Sequence, residues 1–79
     1  MWNYRVVQSV DHGIDVVFEV CEVYYDVEGI PHAYCRASAM GENLNELHDI
    51  LDMMRLGFTK PVLRYPEDFK GDPHLELDE

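Results

Sequence analysis

The residues of this 79-residue chain that could do chemistry are two cysteines, four histidines, sixteen carboxylates and a run of tyrosines. Cys21 and Cys35 stand thirteen residues apart in between, not the two of a Cys-x-x-Cys redox pair. Facing each other across two strands, they would occupy a position permissive for a disulfide. As two reduced thiols on a half-buried strip, they would suit a cytosolic protein. His12, His32, His48 and His74 fall in a turn, a strand, a helix and the terminal segment, and none has zinc-finger spacing to a cysteine, so no metal is expected. His48 has Asp52 four residues on, the spacing of a surface ion pair. Glu42, Glu46, Asp49 and Asp52 cluster as a solvated helix face. Glu22 alone falls on an apolar face, near Trp2 and Tyr34. It is either one half of an acid–base site or an edge carboxylate bonded to a tyrosine hydroxyl or to Arg36. Glu22, His32 and Tyr34 together make the candidate small-ligand or enzyme site. No GxSxG, P-loop, HExxH or GxGxxG occurs, so the chain reads as non-enzymatic and without a cofactor.

Composition narrows the field further. Sixteen Asp and Glu against six Lys and Arg leave a formal charge of −10. Nucleic-acid binding rests on neutralising phosphates with basic residues, so no nucleic acid is expected as a partner. Trp2, Tyr24, Tyr25 and Tyr34 could stack on bases, but Arg5 and Arg36 are outnumbered by acids. No apolar run approaches the ~20 residues of a membrane span, and no secretory signal is visible, which points to a cytoplasmic protein without a membrane partner. Apolar residues make up 47%, a folding composition, although a chain this short has a thin stability margin. Pro66 to Glu79 carries six acids and one base with Pro66, Gly71 and Pro73, and reads as a loose acidic tail beyond a single domain over residues 1–65.

The elements that must position these side chains follow from pattern. Trp2 to Val10 and Ile14 to Tyr25 are rich in Val, Ile, Tyr and Phe, and a third strand ends near residue 37. The breaks Asp11-His12-Gly13 and Val27-Glu28-Gly29 are three-residue loops ending in glycine, the pattern of a type I turn with a left-handed bulge residue. That geometry pairs Val10 with Ile14 and Asp26 with Ile30. It sets Arg5 opposite Glu19, Cys21 opposite Cys35, and Pro31 at a non-hydrogen-bonded site. Asn43 with Glu46 has capping-box spacing, Leu44, Leu47, Leu51 and Met54 recur at helical intervals beside Ile50, and Gly57 follows Arg55 as a stop. Lys60 to Tyr65 suits a short last strand, with Pro61 at its start. The result is an α+β fold, β-β-β-α-β: a three-stranded antiparallel meander, one helix packed on one sheet face, and a short fourth strand.

The same register sorts side chains between faces. Trp2, Tyr4, Val6, Val10, Ile14, Val16, Phe18, Val20, Tyr24 and Tyr34 form the expected core face, to be covered by the helix. The opposite face carries Arg5, Ser9, Asp15 and Glu19 with an apolar strip of Val7, Val17, Cys21, Val23, Tyr25, Ala33 and Cys35. An apolar strip turned away from the helix is the expected interaction surface. Its partner is a protein, either a second copy or a basic protein drawn by the acidic surface.

Two resemblances accompany this reading. WNYRVV, EVYYDVEGIP, GENLNELHDIL and KPVL resemble, over nearly the whole chain, a group of small bacterial proteins of unknown function, which implies no activity. YRVVQSVDHG and GENLNELHDILDMM more loosely resemble the N-terminal domain of HicB-type antitoxins, with Gly41, Asn43, Leu44 and Glu46 matching that family's helix start. The likeness implies a partial RNase H-like fold and an acidic surface masking a basic toxin. EVYYDVEGIPHAY stands where that family has a Pro-rich, Gly-Cys segment, and no C-terminal DNA-binding module follows within these residues.

Overall fold

In a computed structural model that describes residues 1–11 and 13–70, the chain forms β1 (Trp2–Asp11), β2 (Asp15–Tyr25), β3 (Pro31–Arg36), α1 (Leu44–Arg55), a 3-10 turn (Leu56–Thr59) and β4 (Leu63–Arg64). The sheet order is β3-β2-β1-β4. The first three strands are antiparallel, and β4 lies parallel to β1 through Val7↔Leu63 and Gln8↔Arg64. The fold is the expected α+β arrangement. His12, His74 and the acidic segment 71–79 lie outside the described residues.

The register departs from the expected one in both hairpins, and the second departure changes what each face carries. In the first hairpin Val10 pairs with Val16, so the loop is 12–14 and the whole ladder slips by two residues. The left-handed residue is Gly13 (φ 75°) in either arrangement, and an even slip keeps every side chain on its own face, so neither signal separates the two. Arg5 therefore sits opposite Cys21, not Glu19. The second hairpin starts as expected. The Asp26 N–H donates to the Ile30 carbonyl at 3.0 Å, and the Asp26 side chain accepts from the N–H groups of Glu28 and Ile30 around Gly29 (φ 83°). A bulge between Tyr24 and Tyr25 then leaves His32 outside the ladder. Beyond it the pairing moves by one, which turns β3 over: Tyr34 and Arg36 join the Val23 face, while Ala33 and Cys35 join the Tyr24 face.

The buried face is the one expected to be open. Val7, Cys21, Val23 and Phe69 form the central cluster, with Tyr25, Tyr34 and Leu63 packed against it. Phe69 is 8% exposed, so the domain runs past residue 65 and its boundary at that position is corrected. The segment after β4 turns back across this face. The Tyr34, Tyr65 and Phe69 rings meet at 5.0–5.4 Å, the Lys70 N–H donates to the Pro31 carbonyl at 2.7 Å, and Lys70 Nζ reaches Asp26 Oδ2 at 3.3 Å. The physical reason for the inversion is that Phe69 and Tyr65 supply large apolar surface within a segment whose average composition is acidic.

The helix lies on the other face but covers only part of it. Asn43 Oδ1 accepts from the Glu46 N–H at 2.9 Å, and Glu46 reaches back to the Glu42 N–H, so the cap forms as expected one residue wide of a closed box. Met54 is its one buried residue. Gly57 does not end the helix with a left-handed residue. The chain tightens into the 3-10 turn, and a Cβ at Gly57 would stand 2.9 Å from the Tyr4 carbonyl oxygen. Glycine is there so that this turn can cross the β1 backbone.

Candidate functional site

The strip read from sequence as an interaction surface is not one. Val7, Cys21 and Val23 are almost wholly buried, Val17 and Tyr25 are half-buried on the same face, and Ala33 and Cys35 have moved to the opposite face. The strip is core because the segment from Pro61 to Lys70 covers it. Arg5 ties that cover down: its Nη1 donates to the Tyr25 hydroxyl at 3.0 Å and its Nη2 to the Pro61 carbonyl at 2.7 Å, while the Tyr25 hydroxyl donates to Asn3 Oδ1.

The cysteines are separated by the bulge that turns β3 over. Cys21 stands opposite Arg36, Cys35 stands opposite Glu22, and both are free thiols. Burial, with Glu19 nearby, pushes the Cys21 thiol up to about 11. Arg36 pairs with Glu19 instead of Glu22.

The small-molecule constellation of Glu22, His32 and Tyr34 does not assemble. Glu22 and Tyr34 are on opposite faces, and His32 is exposed at the bulge. Glu22 accepts a short hydrogen bond of 2.5 Å from the Tyr24 hydroxyl, the edge-carboxylate arrangement. That bond raises the Tyr24 phenol well above its ordinary value, because ionising it would place two negative oxygens in contact. Tyr34 instead lines a shallow cavity of about 300 Å³ with Ser9, Val10, Val17, Glu19, Arg36 and Tyr65. Desolvation raises its phenol too. His48 pairs with Asp52 at 3.3 Å, and with Asp49 the three bring ligand atoms within 4.8 Å of one another, all exposed on the helix surface.

The open apolar surface is the face of Trp2, Tyr4, Val10, Val16, Phe18 and Val20. Val6, in the middle of it, is buried, whereas Val10, Val16 and Phe18 are 57%, 54% and 61% exposed. The helix thus shields the β1 side at Val6 and leaves the hairpin half uncovered. Of the thirteen strand residues on this face, Glu22 and Arg64 are the charged ones; Glu22 is bonded to Tyr24 and Arg64 is paired with Asp68. Sequence reasoning grouped these side chains correctly and missed their exposure. The signal available was volume: twelve helical residues are too few to cover a ten-residue and an eleven-residue strand.

Compared with models of known protein families, with curated proteins and with solved structures, the chain matches none. Among the described residues no helix is long and apolar enough to cross a membrane.

Proposed function

We propose that this chain is a non-enzymatic protein-interaction domain that self-associates through the open half of its sheet, around Val10, Val16 and Phe18. The observation that carries this reading is the lack of net charge among the strand residues of that face, one acid (Glu22) against one base (Arg64), in a chain of net charge −10. Exposed aliphatic and aromatic side chains gain roughly 1.5–3 kcal/mol each on full burial. A second copy of a strongly acidic chain can supply that burial only where the touching surfaces carry no acids, and the strand residues around Val10, Val16 and Phe18 meet the condition, Glu22 lying at the other end of the face opposite Tyr4. The need is also mutual, since the buried cluster of Val7, Cys21, Val23 and Phe69 is a small core for one domain.

Sedimentation velocity from low to high micromolar concentration tests the reading. A dimer is expected for the wild type and a monomer for Phe18→Asp, whose side chain is already mostly in water and whose fold is preserved. A wild-type chain that stays monomeric at high micromolar concentration removes the proposal. The exposed acids Glu42, Glu46, Asp49 and Asp52 support a second reading, the antitoxin-like one, in which the partner is a small basic protein. Salt-sensitive binding to such a protein, unaffected by Phe18→Asp, would distinguish it from self-association.

A further inference from the structure

At the opposite end of the same face, β1 and the C-terminal end of α1 flank an open cleft of about 390 Å³ lined by Trp2, Asn3, Tyr4, Met53, Leu56 and Lys60. Its size falls within the usual range for small-molecule pockets. The Trp2 and Tyr4 rings stand perpendicular with centroids 5.1 Å apart and make two walls at a right angle. Met53 and Leu56 line it from the helix side with unbranched and branched apolar carbon. The polar contribution is small and of one kind. The Asn3 side chain is engaged on the Val23 face, where its Oδ1 accepts from the Tyr25 hydroxyl, so Asn3 borders the cleft without offering it a charge. Lys60 brings the one charge, and among the described residues no carboxylate lies within ion-pair distance of it. A chain with sixteen acids and six bases thus has an apolar cavity whose lining contains a lysine and no acid.

We propose that this cavity binds a small organic acid with an apolar body, the body between Trp2, Tyr4, Met53 and Leu56 and the carboxylate on Lys60. The apolar walls provide most of the affinity. Lys60 selects the anion over a neutral or cationic molecule of the same shape. A ligand of this size held by one partly solvated charge binds with a dissociation constant on the order of 0.1–1 mM. The site is separate from the self-association patch, because Trp2 and Gln8, the partner of Phe18, lie six residues apart on β1, about 20 Å along the strand.

The test uses octanoate, octan-1-ol and octylammonium, titrated below their aggregation concentrations. Trp2 is the single tryptophan, so its fluorescence reports on the site directly. The full chain carrying Phe18→Asp is used, which keeps self-association out of the signal. Octanoate should give a saturable change, with octan-1-ol weaker and octylammonium weakest. Lys60→Gln should weaken octanoate roughly threefold to tenfold and leave octan-1-ol unchanged. Met53→Glu, on an exposed helix position, should abolish octanoate binding without loss of helix by circular dichroism. Octylammonium binding as well as octanoate, an unaltered octanoate affinity in Lys60→Gln, or no saturable response to octanoate would each overturn the proposal.

Discussion

Cys21 and Cys35 lie on opposite faces of the sheet, and this placement gives them different chemistry. Cys21 is wholly buried with its thiol raised to about 11, so at neutral pH it carries almost no thiolate. Cys35 is exposed beside Glu22 and Tyr24. Alkylation with iodoacetamide in native buffer should therefore label Cys35 alone, and Cys21 should react only in denaturant. Mass spectrometry reads this directly, and native labelling of Cys21 would contradict the burial. Phe69 is the buried residue of the cover. It touches the Val7–Cys21–Val23 cluster and packs 5.4 Å from both Tyr34 and Tyr65. Phe69→Ala should cost about 3–5 kcal/mol in chemical denaturation. A loss under 1 kcal/mol would mean that the segment after Tyr65 does not close the core.

At the scale of elements, the joints explain more than the elements themselves. The 3-10 turn after α1 crosses β1 so closely that Gly57→Ala drives a methyl group into the Tyr4 carbonyl, an overpacking expected to cost roughly 1–3 kcal/mol. Urea unfolding of this variant checks the contact, and a cost near zero would mean that the turn does not press on the β1 backbone at Tyr4. The C-terminal strap is held by two carboxylates. Backbone N–H groups, led by that of Ile30, together with Lys70 hold the Asp26 carboxyl below the usual carboxylate range. Arg64 does the same for Asp68, which accepts from both its side chain and its backbone N–H. Depressed native values mean that this stabilisation is fully present above the ordinary carboxylate value, about 3.9, and is lost as pH falls from there through the lower native values. Acid should thus loosen the strap first, seen as early shifts of Phe69 and Tyr65 resonances in a pH titration. Simultaneous change across β1 and β2 would mean that the strap has no separate response.

For the whole molecule, the uneven cover over its two sheet faces is the main fact. One face is sealed by the strap, and the other is shielded at Val6 by the helix and open at Val10, Val16 and Phe18. A chain completed by a second copy should melt at a temperature that rises with protein concentration, because association stabilises only the folded state. Phe18→Asp should lower that temperature and remove its concentration dependence. A melting temperature independent of concentration in the wild type would leave the open face without a structural role in association.

Strand and helix positions, both glycine turns and the Asn43 cap were legible in the amino-acid sequence because each depends on residues a few positions apart. So was the division of β1 and β2 side chains into two sets, since alternation has a period of two and survives the two-residue slip. Which set faces inward was not legible, because both sets are apolar enough to be buried. That choice was made by contacts far apart in the chain: the bulge that turned Tyr34 over, and the Tyr65–Phe69 strap that packed against it. Local periodicity determined the elements and their faces. Only tertiary packing decided which face became core and which was left open.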